Sequence, residues 1–505
     1  MRVVFRVDAS AVIGTGHVMR CLALAAGLRD EGVEVQFICR SLPTALATRI
    51  GNAGCALTLL PSAEKPVLIG TPAHEDWLEA GYLVDADSTI VALAGSQPDW
   101  LIVDHYALDN RWQGRLRGAV KRIAVIDDIA DRDHDCDLLI DHNLADGGDR
   151  RYAGRIPSAA QRYLGLRYAI LRPEFAVART AHPRQCGAVS RVAVSFGGVD
   201  RDNLTSVALD AITQSGIAAD VDVIIGAEHI TRAELERRIG HHPRWHLHVQ
   251  TDNIANIFSV SDIAIGAGGA ATWERACLGL PSIAICVADN QVDQLHSAAK
   301  AGLLYSLTAA DADLSRITAA LVTLAGSPEL RSHMARCGQG LVDGRGVQRL
   351  VRAFVGAVRL GIRKASMLDA DMILAWRNHE STRHASASQD LISPGAHRAW
   401  MESTLASPDR HLLIGLNDDV PCGVMRYDTE GAVAMVSIYL APGCSGHGLG
   451  TALLAAGESW LCRHASVVDS LVAHVNSGNI ASELMFANAG YALSQTTWKK
   501  RVDQK

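Results

Sequence analysis

Two glycine-rich turns of different kinds constrain this chain more than any other feature. Gly14-Thr15-Gly16-His17 ends an apolar strand, Val3–Val7, and opens a helical stretch from Val18 to Leu28. Gly446-His447-Gly448-Leu449-Gly450 ends another apolar strand, Val433–Leu440, and opens a helix at Thr451. A strand–glycine turn–helix unit leaves backbone N–H groups free along a helix dipole, an arrangement that suits a phosphate-bearing ligand. Two such units at opposite ends of a 505-residue chain predict two sites in separate domains, and hence a bifunctional enzyme.

A chain of this length exceeds what one hydrophobic core holds. Val3–Val7, a helix over 18–30 and Val33–Cys39 form a βαβ unit, with Glu31-Gly32 closing the helix. Leu101–Asp104 and Ile123–Asp127 read as buried parallel strands with acidic ends, the ends that line the ligand crevice of an open α/β sheet. Arg179–Ser190, with Pro183 and Gly187, reads as a hinge. A second βα series follows: Val192–Phe196 runs into Gly197-Gly198, Val221–Ile225 into Gly226, and Ile263–Ile265 into Gly266–Gly269. A helix over 271–279 comes next, and Pro281–Cys286 leads to Asp289-Asn290-Gln291. After about residue 360 the pattern changes. Helices Met367–Asn378 and Pro394–Leu405 accompany antiparallel-looking strands Leu412–Leu416, Gly423–Tyr427 and Val433–Leu440, an α+β grammar. The expected division is two doubly wound lobes, 1–182 and 183–357, followed by an α+β domain over 358–505.

Composition narrows the class. With 48% hydrophobic and 20% charged residues the chain is globular, and a net charge of −6 argues against a general binder of nucleic acid or anionic membranes. The eleven cysteines are odd in number and contain no C-x-x-C pair, which fits reduced cytoplasmic thiols better than a disulfide framework or a zinc site. The chain opens directly on a strand, so no signal peptide is expected. No apolar run approaches the roughly 18 residues of a membrane span. The expectation is a cytoplasmic enzyme without a metal, a nucleic-acid partner or a membrane partner.

In the first lobe His17 is the candidate catalytic group. It follows Gly14 and Gly16 at the first turn of a helix, with its ring toward the mouth of the sheet, where a general base would stand. The plain alternative is a capping or surface histidine. In the second lobe Gly268-Gly269 precedes a helix carrying Glu274, a backbone nest with an acid beside it; alone it is also compatible with a tight turn. The nest resembles that of two-lobed glycosyltransferases, which implies that it holds a diphosphate while the acid binds ribose hydroxyls. Asn290 and Gln291 offer neutral hydrogen-bond partners suited to sugar hydroxyls and acetamides, or a helix cap.

Several longer motifs occur in order: Arg6-Val7-Asp8-Ala9-Ser10, Ile13 through Arg20 and Val103-Asp104-His105-Tyr106, then Asp127-Asp128 with Arg132, Leu171-Arg172-Pro173-Glu174-Phe175, Ser195 through Asp200, and Gly266 through Arg275. Together, over roughly residues 1–345, they resemble the UDP-sugar hydrolases of pseudaminic acid biosynthesis, which remove UDP from a diacetamido-trideoxy-altropyranose. The resemblance implies a two-lobed glycosyltransferase-B-like fold. It also implies that His17 orients water for an inverting hydrolysis and that no metal is required. Gly14, Gly16, Arg172, Gly197, Gly198, Gly268, Gly269, Glu274, Asn290 and Gln291 are the expected substrate-binding positions. Asp104, His105, Tyr106, Asp127 and Arg172 are cleft residues or structural strand-end groups.

At the other end, Ser445-Gly446-His447-Gly448-Leu449-Gly450 resembles the Q/R-x-x-G-x-G/A turn of the GNAT N-acetyltransferases, with Ser445 replacing Gln or Arg. Asn479-Ile480-Ala481-Ser482, Gly490-Tyr491 and the opening segment Leu368–Asp371 with Trp376-Arg377-Asn378 extend the likeness. It implies an acetyl-CoA site at Gly446, His447, Gly448, Leu449, Gly450, Thr451 and Asn479. One departure stands out: Phe486 occupies the position of a tyrosine that in many relatives protonates the departing thiolate. Tyr491, Tyr439 or a water remain as alternatives.

The pairing implies consecutive steps on UDP-amino-sugar substrates: acetyl-CoA-dependent acetylation of UDP-4-amino-4,6-dideoxy-N-acetyl-β-L-altrosamine, then hydrolysis to UDP and free sugar. A UDP-sugar glycosyltransferase, a protein N-terminal acetyltransferase with an accessory sugar-binding lobe, and a non-catalytic UDP-sugar sensor stand as alternative readings.

Overall fold

Strands rich in Val, Ile and Leu that are apolar on both faces are what a parallel sheet covered by helices requires, and the first two sheets are built that way. In the computed structural model the first comprises β1 (Arg2–Val7), β2 (Glu34–Cys39), β3 (Ala56–Leu59), β4 (Trp100–Asp104), β5 (Ile123–Ile126), β6 (Leu138–Asp141) and β7 (Gln161–Leu164). Their order is β3-β2-β1-β4-β5-β6-β7, all parallel. The second comprises β8 (Arg191–Ser195), β9 (Asp220–Ile225), β10 (Trp245–Val249), β11 (Ile263–Ala267), β12 (Ser282–Ile285) and β13 (Tyr305–Leu307). Its order is β10-β9-β8-β11-β12-β13, again all parallel. Strand order reverses between β1 and β4 in one sheet and between β8 and β11 in the other. Such reversals open a crevice at the carboxyl ends of the strands.

The structure describes residues 1–10, 12–63, 74–145, 147–182, 187–198, 200–227, 229–356, 360–386, 388–417, 419–444, 448–465, 467–476 and 479–493. The chain divides into two compact units, Met1–Val355 and Gly356–Lys505. Within the first, the lobes are tied together at two places. The Arg179 guanidinium donates to the carbonyls of Cys277 (3.1 Å), Gln339 (2.9 Å) and Val342 (2.7 Å). The helix Gly346–Val355, which follows the second sheet in sequence, buries Val347, Leu350, Val351 and Phe354 in the core of the first lobe, together with Phe5, Val7 and Leu24. There Trp100 Nε1 donates to the Phe354 carbonyl at 3.2 Å.

The second unit has a single sheet, β14 (Gly361–Lys364), β15 (Arg410–Asn417), β16 (Val420–Glu430), β17 (Val433–Leu440) and β18 (Ser470–Ala473), in sequential order. The three expected strands lie within β15, β16 and β17 and pair antiparallel. β17 and β18, however, pair parallel, a feature the sequence pattern left out because Ser470–Ala473 is too short to show a period. The helix Leu449–His464 covers one face, with Gly457 against Met425 and Tyr427. The helices Ala370–Asn378 and Pro394–Ala406 cover the other, around Ile373, Met401, Leu412 and Val424. No helix among the described residues is long and apolar enough to cross a membrane.

Leu350, fully buried in the first-lobe core, tests the return of the last helix. Leu350→Ala is expected to destabilise the first unit by about 2–5 kcal/mol, the cost of a buried cavity, as read by denaturant unfolding. A surface-like change below about 0.5 kcal/mol would place this helix outside the core.

Candidate functional site

At the β1–β4 crevice the chain turns through Gly14, whose φ of +80° lies in the left-handed region. It then enters the helix Gly16–Asp30, which places His17 and Arg20 one turn apart on the same face. Both reach Asp104, the last residue of β4. His17 Nδ1 stands 2.6 Å from Asp104 Oδ1, and Arg20 donates from Nε and Nη2 to both carboxylate oxygens at 2.7 Å. A carboxylate only accepts, so Nδ1 carries a proton, and in the neutral imidazole Nε2 is the acceptor. Arg20 Nη2 is also 3.2 Å from Nδ1, but a lone pair on Nδ1 would face the carboxylate at the shorter distance. Burial would raise the Asp104 pKa; Arg20 and His17 outweigh it and hold the carboxyl well below the usual range.

Arg20 extends the cluster, donating from Nη1 to Asp128 Oδ2 at 2.8 Å and standing 3.1 Å from His142 Nε2. Burial, with Arg20 beside it, lowers His142 to about 4. Tyr106 donates to Asp128 Oδ1 at 2.5 Å, and its ring meets His17 edge-on at 4.8 Å. Asn290 of the second lobe donates from Nδ2 to the Tyr106 hydroxyl at 3.3 Å, so the Asp289–Gln291 turn reaches the His17 cluster. Gln291 instead accepts from the Val287 amide at 3.0 Å and braces its own turn. His105 faces Asp8 (3.3 Å), and Asp127 pairs with Arg132 (2.8 Å), both in buried clusters apart from His17. Of the strand-end candidates, Asp104 and Tyr106 therefore meet His17, and His105 and Asp127 do not.

The second lobe places Gly197 (φ +88°) and Gly198 after β8, and Gly268 and Gly269 after β11, at its own strand reversal. Gly268 is demanded by packing, since a Cβ there would overlap the Leu295 side chain. The helix that follows, Ala271–Cys277, is shorter than the sequence suggests. Behind the turn lies Arg275, which donates from Nη2 to the Ala267 carbonyl at 2.9 Å. Burial lowers it to about 10, and its Nε and Nη1 have no hydrogen-bond partner among the described residues. A buried cation so placed favours an anion at the turn. Glu274 lies 3.4 Å from Arg172, which joins two predicted positions. Burial raises the Glu274 pKa, with Arg172 opposing.

In the second unit Gly446 and His447, with Ser445, lie outside the described residues. Gly448 has φ +68° and caps the helix Leu449–His464, whose first turn carries Gly450 and Thr451. Gly448, Gly450, Thr451 and Asn479 line one cavity of about 1010 Å³. Leu449 is buried and absent from the lining. The cavity forms where β17 and β18 part. Their parallel pairing stops at Val436–Ala473, and residues 437–440 and 474–476 line the gap beyond it. Asn479 both lines the cavity and caps its helix, accepting from the Ser482 amide at 3.2 Å. Phe486 and Tyr439 line the wall, whereas the Tyr491 hydroxyl donates to Glu458 at 2.8 Å and is absent from the lining. Among the described residues no cluster of three or more His, Cys, Asp or Glu side chains has metal-site geometry.

Comparisons with known proteins agree with this division. Residues 359–492 match the acetyltransferase (GNAT) domain family. Over 306 residues the chain is 26% identical to the UDP-2,4-diacetamido-2,4,6-trideoxy-beta-L-altropyranose hydrolase of Campylobacter jejuni, a match covering 60% of this chain and 97% of that one. It is also 26% identical over 215 residues to the spore coat polysaccharide biosynthesis protein SpsG of Bacillus subtilis, a match spanning 40% of this chain and 60% of SpsG. In structure it is similar to the glycotransferase of kitacinnamycin, with TM-score 0.50 and 16% identity, over 70% of this chain and 98% of that one; this shows the two-lobed glycosyltransferase-B fold of the first unit. The chain is an enzyme that joins a unit similar to that hydrolase to a GNAT domain.

Gly268→Ala is expected to cost about 1–3 kcal/mol through overpacking, with Leu295→Ala relieving part of it. Thermal unfolding of the two single variants and the double variant checks this. Strict additivity would show that Leu295 does not dictate the glycine.

Proposed function

We propose that the chain carries out two consecutive steps on one UDP-linked amino sugar. In the second unit the 4-amine of UDP-4-amino-4,6-dideoxy-N-acetyl-β-L-altrosamine attacks the thioester carbonyl of acetyl-CoA. A C–N bond forms, the C–S bond breaks, and the amine proton leaves as coenzyme A departs as its thiol. The turn from Gly446 to Thr451, with Asn479, holds the cofactor's pyrophosphate. In the first unit a water attacks the anomeric carbon of the acetylated sugar from the face opposite UDP. His17 Nε2 takes its proton, and the C–O bond to the diphosphate breaks to release UDP and an inverted sugar. Gly14, Gly16, Gly197, Gly198, Gly268, Gly269, Arg172, Glu274, Asn290 and Gln291 form the nucleotide-sugar side of that crevice.

The observation that carries this reading is the pairing of His17 Nδ1 with the buried Asp104 at 2.6 Å, which supports Nε2 of the neutral ring as the base. That pairing supports a proton-abstracting histidine over a capping one, in a chain that also carries a GNAT domain. The Asn290–Tyr106 contact supports it further, because it brings the second lobe to the same place. The Phe486 substitution leaves the thiolate to be protonated by Tyr439 or a water.

Incubating the protein with the UDP-amino sugar and acetyl-CoA, and identifying products by mass and NMR, tests the whole scheme. Free diacetamido sugar and UDP are expected; a glycoside with an added acceptor would identify a transferase instead. His17→Ala is expected to lower hydrolysis about 10²–10⁴-fold while leaving acetylation intact; hydrolysis at the native rate would remove His17 from the mechanism. Gly448→Val places a branched residue at φ +68° and is expected to abolish acetyl-CoA binding while sparing hydrolysis of the pre-acetylated substrate. Normal acetyl-CoA affinity in calorimetry would mean that this turn does not hold the cofactor.

A further inference from the structure

The cavity of the second unit has an uneven wall. Arg377 and Arg426 line it, and among the described residues no aspartate or glutamate does. Arg377 lies near the end of the helix Ala370–Asn378, and Arg426 lies on β16 opposite Ser437 of β17. The strand period puts Arg426, Ser437, Val424 and Tyr439 on one face of the sheet, and all four line the cavity. Burial raises the Tyr439 pKa, and Arg377 and Arg426 each oppose the rise. Both cations thus line the same cavity as Tyr439.

Neither guanidinium is fully used by the fold. Arg377 donates from Nη2 to the Ser388 carbonyl at 3.0 Å, and its buried Nη1 has no hydrogen-bond partner among the described residues. Arg426 pairs with Asp428 at 2.9 Å and lies 5.7 Å from the centre of the Trp400 ring, and its buried Nε likewise lacks a partner. Two guanidiniums with spare donors in the lining of one cavity are a recognition element for a di-anion, above all a phosphate.

Two phosphate sources exist in such a cavity, the cofactor and the acceptor. The cofactor's pyrophosphate belongs at the glycine turn, where Gly450 adjoins Leu440. Arg426 pairs with Ser437, three residues back along β17, about 10 Å away at the rise of a strand. The turn and Arg426 thus belong to different stretches of the wall, which favours the acceptor's phosphates over the cofactor's pyrophosphate as the arginines' partner.

We propose that Arg377 and Arg426 bind the diphosphate of the acetyl acceptor, so that the second unit acetylates the amine only while the sugar still carries its nucleotide. The inference rests on the reading of this unit as an amino-sugar acetyltransferase and adds what selects its acceptor.

The test uses the full chain and two acceptors, the UDP-linked amino sugar and the same amino sugar without its nucleotide, with coenzyme A release as the readout. The native protein is expected to favour the nucleotide-linked acceptor in kcat/KM by at least about 100-fold, the worth of two charge-assisted contacts. Arg377→Gln and Arg426→Gln are each expected to raise KM for that acceptor about 10–100-fold, with kcat and the acetyl-CoA KM unchanged. Arg426→Lys, which keeps the charge, recovers much of the loss. Equal use of the two acceptors by the native protein overturns the proposal, as does a raised acetyl-CoA KM in the Gln variants, which would assign the arginines to the cofactor. If the native protein acetylates neither acceptor, the reading of the unit as an amino-sugar acetyltransferase fails, and this proposal fails with it.

Discussion

The Asp104 carboxylate at the end of β4 organises the first unit's crevice. It is fully buried, and it accepts from three nitrogens that the helix Gly16–Asp30 presents to it, His17 Nδ1 and the Nε and Nη2 of Arg20. Taking a carboxylate out of water costs several kcal/mol unless its partners are close and well aligned. The same contacts that repay that cost also set the imidazole tautomer and ring orientation. Arg20 then passes the constraint to Asp128, and Asp128 passes it to Tyr106. Asn290 meets that hydroxyl from the second lobe. A single buried anion thus aligns residues drawn from four separate stretches of chain.

The two lobes repeat one topology but use it differently. In the first, the strand reversal at β1 and β4 gathers charged side chains. In the second, the reversal at β8 and β11 gathers glycines, with a buried cation, Arg275, behind them. The first arrangement suits proton transfer and the second suits an anion. In the second unit, parting strands do the equivalent work. Where β17 and β18 separate, the backbone is released from pairing and a cavity opens beside the helix turn at Gly448.

The fold itself was largely legible in the amino-acid order. Parallel strands announce themselves as short apolar runs, and an antiparallel meander as alternation; both are local patterns. The turns at Gly14–His17 and Gly266–Gly269 were readable because glycine before a helix has few other uses. The parallel strand β18, the strand β14 and the helix Glu380–Ala385 were not, since four to six residues carry too little periodicity to stand out from loops. The site was legible in part. His17, Asp104, Tyr106 and Asn290 could be nominated one by one, but His105 and Asp127, equally acidic-or-imidazole strand-end residues, pair elsewhere.

What the sequence by itself determined is therefore the architecture: two wound lobes, an α+β unit, and glycine turns that lead from strands into helices. These follow from the local backbone preferences of glycine and from the period of apolar residues, neither of which needs a distant partner. Only the tertiary structure decided which polar side chains meet. The approach of Arg20 to Asp128, of Asn290 to Tyr106, and of Arg377 and Arg426 to a common wall depends on sheet order and on where helices cross, separations of 108, 184 and 49 residues respectively. No local pattern encodes such meetings. They arise because sheet order and helix packing, not neighbours in the chain, decide which polar side chains share a site.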